Sequence, residues 1–190
     1  MENGKKIVIG LVGETGSGKD TVAHYLKRRY NVDLLRFSRP LKKALDLFFE
    51  KSSKEDQSWL YTVFKKRFGE DILHRGVRRY VSQHSGIMCV NGMRMKMDLE
   101  FIRSFDVNYV VYVTANQRLR WERVVGRGEK SDDNQTFEEF QKFEATAETE
   151  KAIPEIGKQA DFVIKNEGTM DDLLWQVDDA MKEILRKNRE

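Results

Sequence analysis

The segment Gly13-Glu14-Thr15-Gly16-Ser17-Gly18-Lys19-Asp20-Thr21 follows the apolar run Ile7-Val8-Ile9-Gly10-Leu11-Val12 and leads into a helix-like stretch. A glycine-rich loop between a strand and a helix is the context in which backbone N–H groups converge on a phosphate. A β-γ phosphate tail is a dense cluster of negative oxygens, so its binder needs several donors aimed at one point and little side-chain bulk. Gly13, Gly16 and Gly18 supply the space, Lys19 reaches the β and γ phosphates, and the positive end of the following helix adds its partial charge. The segment predicts a nucleoside triphosphate site, with Thr15 and Ser17 as polar loop members. Its last position departs from the usual pattern: where Ser or Thr holds Mg²⁺ by a hydroxyl, the chain has Asp20 and then Thr21. Either side chain is a candidate metal ligand, and a carboxylate acting through a bound water favours Asp20.

A second constellation lies in the segment 114–128, where Arg120, Arg123 and Arg127 fall at i, i+3 and i+7 and share one helix face. Phosphoryl transfer spreads charge over the equatorial oxygens, and planar guanidinium groups are suited to neutralising it. Arg127 at the helix end is best placed, while all three also fit a solvated basic face tied to Glu122. Arg94 follows Val90-Asn91-Gly92-Met93 at the carboxyl edge of a strand, where ligands of open α/β sheets bind, and can clamp an acceptor phosphate. Arg39 and Arg67 are further candidates for that phosphate, or surface charges. Trp59, Val63 and Phe64 form a helical apolar stripe that either stacks on an acceptor base or packs in the core, with the core expected. Met93, Met95 and Met97 are a pliant pocket wall or filler. His24, His74 and His84 lack metal-ligand spacing, and no Ser or Cys stands in a nucleophile-elbow context, so hydrolase chemistry of those kinds has no support. Asp132 and Asp133 read as a solvated turn.

These groups must be held by a scaffold, and the pattern supplies one. Short apolar runs near 6–12, 33–38, 86–91, 108–114 and 161–165 read as buried strands separated by helical-period segments. The alternation predicts an α/β fold with a parallel sheet in one domain spanning the whole chain. Ser38 before Pro40, Thr136 with Glu139, and Thr169 with Asp172 mark helix starts. The last opens an amphipathic helix whose Leu173, Val177, Ala180, Met181 and Ile184 should face the sheet. Segments 51–85 and 126–153 read as insertions over the sheet, for acceptor binding and for a lid that closes over the reactants.

Composition narrows the class. The 190 residues carry 34 Lys plus Arg against 31 Asp plus Glu, a net charge of +3, interspersed rather than blocked. Nothing here asks for a nucleic-acid partner. The single cysteine, Cys89, sits in Ile87-Met88-Cys89-Val90 and reads as a buried small hydrophobe. The N-terminal apolar run is too short for a signal peptide core or a membrane span, so a cytoplasmic protein with no membrane partner is expected.

With residues 13–21, Arg39-Pro40-Leu41-Lys42, Asn91-Gly92-Met93-Arg94, Arg123 to Arg127 and Ala160 to Gly168 in view, the chain resembles the P-loop nucleoside monophosphate kinase superfamily over nearly its whole length. The G-K-D-T ending, Phe37-Ser38-Arg39-Pro40-Leu41-Lys42 and Asn166-x-Gly168 look most like deoxynucleoside monophosphate kinases, with phosphomevalonate and dephospho-CoA kinases as cousins. The resemblance implies a three-layer P-loop kinase fold with strand order 2-3-1-4-5, transfer of the ATP γ-phosphate with Mg²⁺, Arg127 in the lid, and Asn166 to Gly168 beside the adenine. Related kinases often have Asp where this chain has Arg39, and Leu35-Arg36-Phe37-Ser38-Arg39 offers no carboxylate. A hydroxyl acceptor needs a general base, whereas a phosphate acceptor is already an anion and needs clamps. Several arginines and no evident base therefore favour a phosphorylated small-molecule acceptor, a nucleoside or deoxynucleoside monophosphate, with Asp98, Glu100 and Asp20 as carboxylates that folding could bring near. The rivals are a dephospho-CoA kinase-like enzyme and a nucleotide-sensing module that binds without transferring phosphate.

Overall fold

A computed structural model describes residues 6–127 and 135–188. Five strands, β1 (Ile7–Val12), β2 (Asp33–Arg36), β3 (Ile87–Met93), β4 (Asn108–Thr114) and β5 (Phe162–Lys165), form one all-parallel sheet of order β2-β3-β1-β4-β5. This is the strand order and the α/β class expected.

β1 is the central strand, and all six of its residues are buried. Its side chains alternate between two cores, as the period of a strand requires. Ile7, Ile9 and Leu11 pack toward α1 (Lys19–Tyr30) and α9 (Met170–Lys187), meeting Val22, Leu26, Leu173 and Met181. Val8 and Val12 face the other layer, built from α4 (Ile72–Ser82), α5 (Lys96–Arg103) and α8 (Glu148–Gly157), where Val77, Val81, Ile102, Ile153 and Ile156 lie. Covered on both faces, the strands read as continuous apolar runs. The buried positions of α9 are the five expected from its period, and the Thr169–Asp172 and Thr136–Glu139 capping boxes both form. Ser38 makes no side-chain cap; Pro40 in the first turn of α2 (Arg39–Leu45) fixes that helix start instead.

The two expected insertions resolve differently. Segment 51–85 holds α3 (Lys54–Phe68) and α4, and α4 belongs to the sheet-covering layer through Val77 and Val81. Segment 126–153 contains the end of α6 (Gln117–Arg127), α7 (Phe137–Thr146) and the start of α8. Phe140 of α7 and Ile153 of α8 are fully buried, so this part contributes to the core. Gly128, Asp132 and Asp133 lie outside the described residues. The expected core reading of Trp59 and Val63 does not hold: they project from α3 into solvent, Trp59 with 65% of its surface exposed. Among the described residues no helix is long and apolar enough to cross a membrane.

Candidate active site

The carboxyl ends of β1, β2, β3 and β4 open toward one side of the sheet, at the point where the chain order reverses around β1. The glycine-rich loop leaves β1 there and turns into α1. Gly16 at φ +81° and Gly18 at φ +90° adopt backbone states that L side chains rarely take. A Cβ would run into the Arg120 carbonyl at Gly16 and into the Asn166 amide at Gly18. Ser17 lies sealed beneath the loop, its N–H donating to the Glu14 carbonyl at 3.1 Å and its hydroxyl unpartnered among the described residues. Glu14 is itself buried, its carboxylate accepting from the hydroxyls of Tyr112 and Thr114. Burial, then the bond to Glu14, pushes the Tyr112 hydroxyl up to about 12.

Asn166, an expected ligand-binding residue, and Arg120, one of the open candidates, hold this loop from behind. Asn166 Nδ2 donates to the Ser17 carbonyl at 2.9 Å, while the Asn166 N–H donates to Thr114 at 2.8 Å and ties the loop to β4. Arg120 is buried; it donates to the carbonyls of Ala115 at 3.0 Å and Thr15 at 3.3 Å, and it is forked onto Glu144 of α7. Its side chain is taken up by these bonds within the protein, whereas Gly168 sits exposed before α9.

Above the loop is a cavity of about 450 Å³. Gly13, Thr15, Gly16, Gly18, Lys19, Asp20 and Thr21 meet Arg94, Arg123 and Arg127 there. Arg123 Nη2 donates to the Asn166 carbonyl at 2.9 Å, while its Nη1 is buried and unpartnered among the described residues. A buried cationic donor in that state gains from an incoming anion.

A second cavity of about 480 Å³ shares Lys19, Asp20 and Arg94 with the first and runs toward α3 and α4. Arg36, Phe37, Tyr61, His74, Met95 and Asp98 are among its walls. Asp20 stands at the junction: one carboxylate oxygen lies 3.2 Å from Lys19 Nζ and accepts from Asn91 Nδ2 at 2.8 Å, and the other is 3.4 Å from Arg36. Burial alone would raise this carboxyl, but Lys19, the Asn91 amide and Arg36 outweigh it and hold it down to about 2. Arg94 pairs with Glu150 of α8, a side chain only 1% exposed whose second oxygen is unpartnered among the described residues.

Arg39 and Arg67 do not reach this second chamber. Arg39 turns back to donate to the Leu34 carbonyl at 3.1 Å and lies over the Tyr80 ring, and Arg67 lies on the surface over Phe68. The cation that β2 contributes is Arg36. Of the carboxylates left open by the sequence, Asp20 and Asp98 line the chamber, whereas Glu100 is exposed beside Lys96. Met95 and Met97 are chamber wall, and Met93 is core. The sequence reasoning missed His74, whose Nε2 is 2.8 Å from Asp98 Oδ1.

Among the described residues no three His, Cys, Asp or Glu side chains converge as a metal site. Mg²⁺ needs less than that, since it keeps several waters and takes one or two carboxylates plus substrate phosphates. The ionised Asp20, with the unpartnered Asn91 Oδ1 close by and Thr21 on the cavity wall, is a hard-oxygen donor set that fits it.

The family model for the AAA domain matches residues 9–146, from β1 to the end of α7. The chain belongs to the AAA domain family. This AAA domain chain is 25% identical to a UPF0200 protein of Methanocaldococcus jannaschii, over 94% of the chain and 91% of the relative. It is 26% identical to a dephospho-CoA kinase of Wolinella succinogenes, over 93% and 94% of the two. Its fold is that of the P-loop kinases: a shikimate kinase from Bacteroides thetaiotaomicron superposes with a TM-score of 0.61 at 15% identity, over 95% of this chain and 98% of that one. None of these three bears the name of a nucleoside monophosphate kinase.

Proposed function

We propose that the chain is a cytoplasmic, single-domain phosphotransferase that moves the γ-phosphate of ATP to a small molecule that itself carries a phosphate. The observation that carries this reading is the meeting of two cavities at Lys19, Asp20 and Arg94, one roofed over the glycine loop and one opening away from it. A nucleotide sensor needs the first cavity and has no use for the second.

In this reading the loop amides and Lys19 hold the β and γ phosphates, with Thr15 and Thr21 beside them. Arg123, through its unpartnered Nη1, and Arg127 take up the charge that develops on the transferring group. Asp20 and Thr21 would hold Mg²⁺, which when bound would supply positive charge against that of the phosphates. Arg94, steadied by Glu150, and Arg36 orient the acceptor for in-line attack. The dispersed cations of the second cavity support a nucleoside or deoxynucleoside monophosphate as acceptor. A second reading, a phosphorylated acceptor that offers a hydroxyl, is favoured by the His74–Asp98 pair on the same wall.

ADP release with Mg-ATP, over a panel of ribo- and deoxynucleoside monophosphates plus dephospho-CoA, tests the class. Lys19→Ala abolishes transfer while leaving Tm near that of the wild type, because among the described residues the one hydrogen bond of its side chain goes to the neighbouring Asp20 carboxylate. Near-full activity in Lys19→Ala would overturn the assignment.

A further inference from the structure

The acceptor chamber contains a histidine held in one tautomer. Asp98 Oδ2 accepts the N–H groups of Arg94 at 2.8 Å and Met95 at 2.9 Å, which fixes the carboxylate at the start of α5. Its Oδ1 faces His74 Nε2 at 2.8 Å. A carboxylate only accepts, so Nε2 is the donor of this bond, and in the neutral ring the lone pair is on Nδ1. Phe37 and Phe101 pack on the ring with centroids 5.3 and 4.9 Å away, which holds its plane. Nδ1 has no hydrogen-bond partner among the described residues, and the residue lines the chamber. A nucleophile-activating base oriented by a third group has this arrangement.

Two further carboxylates of the chamber are already engaged by cations. Asp20 is held down to about 2 and engaged by Lys19, Asn91 and Arg36. Glu70 is paired with Lys65 at 2.8 Å and mostly exposed. A monophosphate acceptor is already an anion and would leave an oriented base without a task.

We infer that His74 is the general base of the transfer and Asp98 its positioning residue, so that the group phosphorylated is a hydroxyl on an acceptor whose own phosphate rests on Arg36 and Arg94. The inference rests on the kinase reading above. The acceptor O–H bond breaks and its proton passes to His74 Nδ1. The oxygen forms the new bond to Pγ as the bond from Pγ to the bridging oxygen breaks, and ADP leaves with that electron pair. The charged groups around the ring are Asp98 and Asp71 beside it, and Lys19, Asp20, Arg36, Glu70 and Arg94 across the chamber.

The experiment offers Mg-ATP with dephospho-CoA as a phosphorylated hydroxyl acceptor and the four deoxynucleoside monophosphates as phosphate acceptors. ³¹P NMR then reads whether the new phosphorus is a monoester or an anhydride. The expected product is a monoester. In His74→Gln, kcat falls roughly 10²- to 10⁴-fold, while ATP affinity is kept. Asp98→Asn retains an oxygen for the Arg94 and Met95 amides but presents an amide donor to Nε2, which drives the ring proton onto Nδ1. Its kcat should fall as far, with KM for the acceptor little changed. An anhydride product, or a His74→Gln enzyme as fast as wild type at every pH, overturns the inference and leaves the kinase standing. Turnover of none of these acceptors by the wild type removes the kinase reading and this one together.

Discussion

Arg120 and Glu144 provide a test of whether the arginine helix is built for phosphate alone. The pair joins α6 to α7 with side chains only 7% and 12% exposed, in a bidentate fork, and Arg120 also holds the carbonyls of Ala115 and Thr15. Glu144→Leu leaves the guanidinium buried without its counterion. Removing one partner of a buried pair costs about 3–5 kcal/mol, because the remaining charge has lost its solvent and its counterion and keeps only neutral carbonyls. For a chain of this size each kcal/mol moves Tm by roughly 2–4 °C, so the variant should melt roughly 6–20 °C lower. The double variant Arg120→Met with Glu144→Leu replaces both charges by apolar groups beside Phe140, and such replacements of a whole pair are often neutral, so most of the loss should return. Thermal melts followed by circular dichroism, with urea midpoints at 25 °C, give the three values of the cycle. The double variant should still bind ATP more weakly, since the Thr15 carbonyl has lost its donor. A Glu144→Leu protein within about 0.5 kcal/mol of wild type, the usual range for a surface change, would refute the reasoning. So would a double variant that loses the sum of the two single losses.

Asp20 gives a pH signature. Its carboxyl is held at about 2 against an ordinary value of 3.8, so its ionised form contributes stability that is fully present above the ordinary value and is lost as pH falls through about 2. Urea midpoints of Asp20→Asn should therefore fall less steeply than those of the wild type across that acid window, and parallel curves would reject the assignment. Cys89 is fully buried and burial pushes its thiol up to about 12, so a colorimetric thiol reagent at pH 8 should find none in the native protein and one per chain in urea.

What could be read from the sequence was local. The glycine loop announces itself because three small residues, a lysine and a flanking strand must be contiguous to do their work, and α9 because its apolar period runs for 18 residues. What could not be read depends on contacts between distant segments. His74 and Asp98 are 24 residues apart, and each alone looks ordinary: a helix-face histidine, and an acidic residue in a helical first turn. Arg120, Arg123 and Arg127 do share a face, but Glu144, 24 residues on from Arg120, claims the first and leaves the others to the cavity. On β2 the error was one of direction. Arg36 ends the strand on the chamber side, and three residues later Arg39 has entered α2, which turns it back onto Leu34 and Tyr80. Segment 126–153 read as one insertion because Glu148 to Lys151 are polar in sequence, although the helix they open buries Ile153 and Ile156 against the sheet.

The departure at Asp20 looked in sequence like a defect in a phosphate loop, a lost hydroxyl where a metal is usually held. In three dimensions it is the residue that joins the two cavities. A serine or threonine hydroxyl has one oxygen, enough for one cation, whereas a carboxylate has two and is ionised throughout the neutral range. One oxygen of Asp20 faces Lys19 and the Asn91 amide, and the other faces Arg36, so α1, β3 and β2 are brought to one point by one side chain. Without that carboxylate, Lys19 and Arg36 would stand as like charges at the junction, each raising the cost of holding the other in place. The substitution therefore balances a cluster of cations where the two cavities meet, and in the kinase reading proposed above the same carboxylate remains available to a hard cation arriving with phosphate.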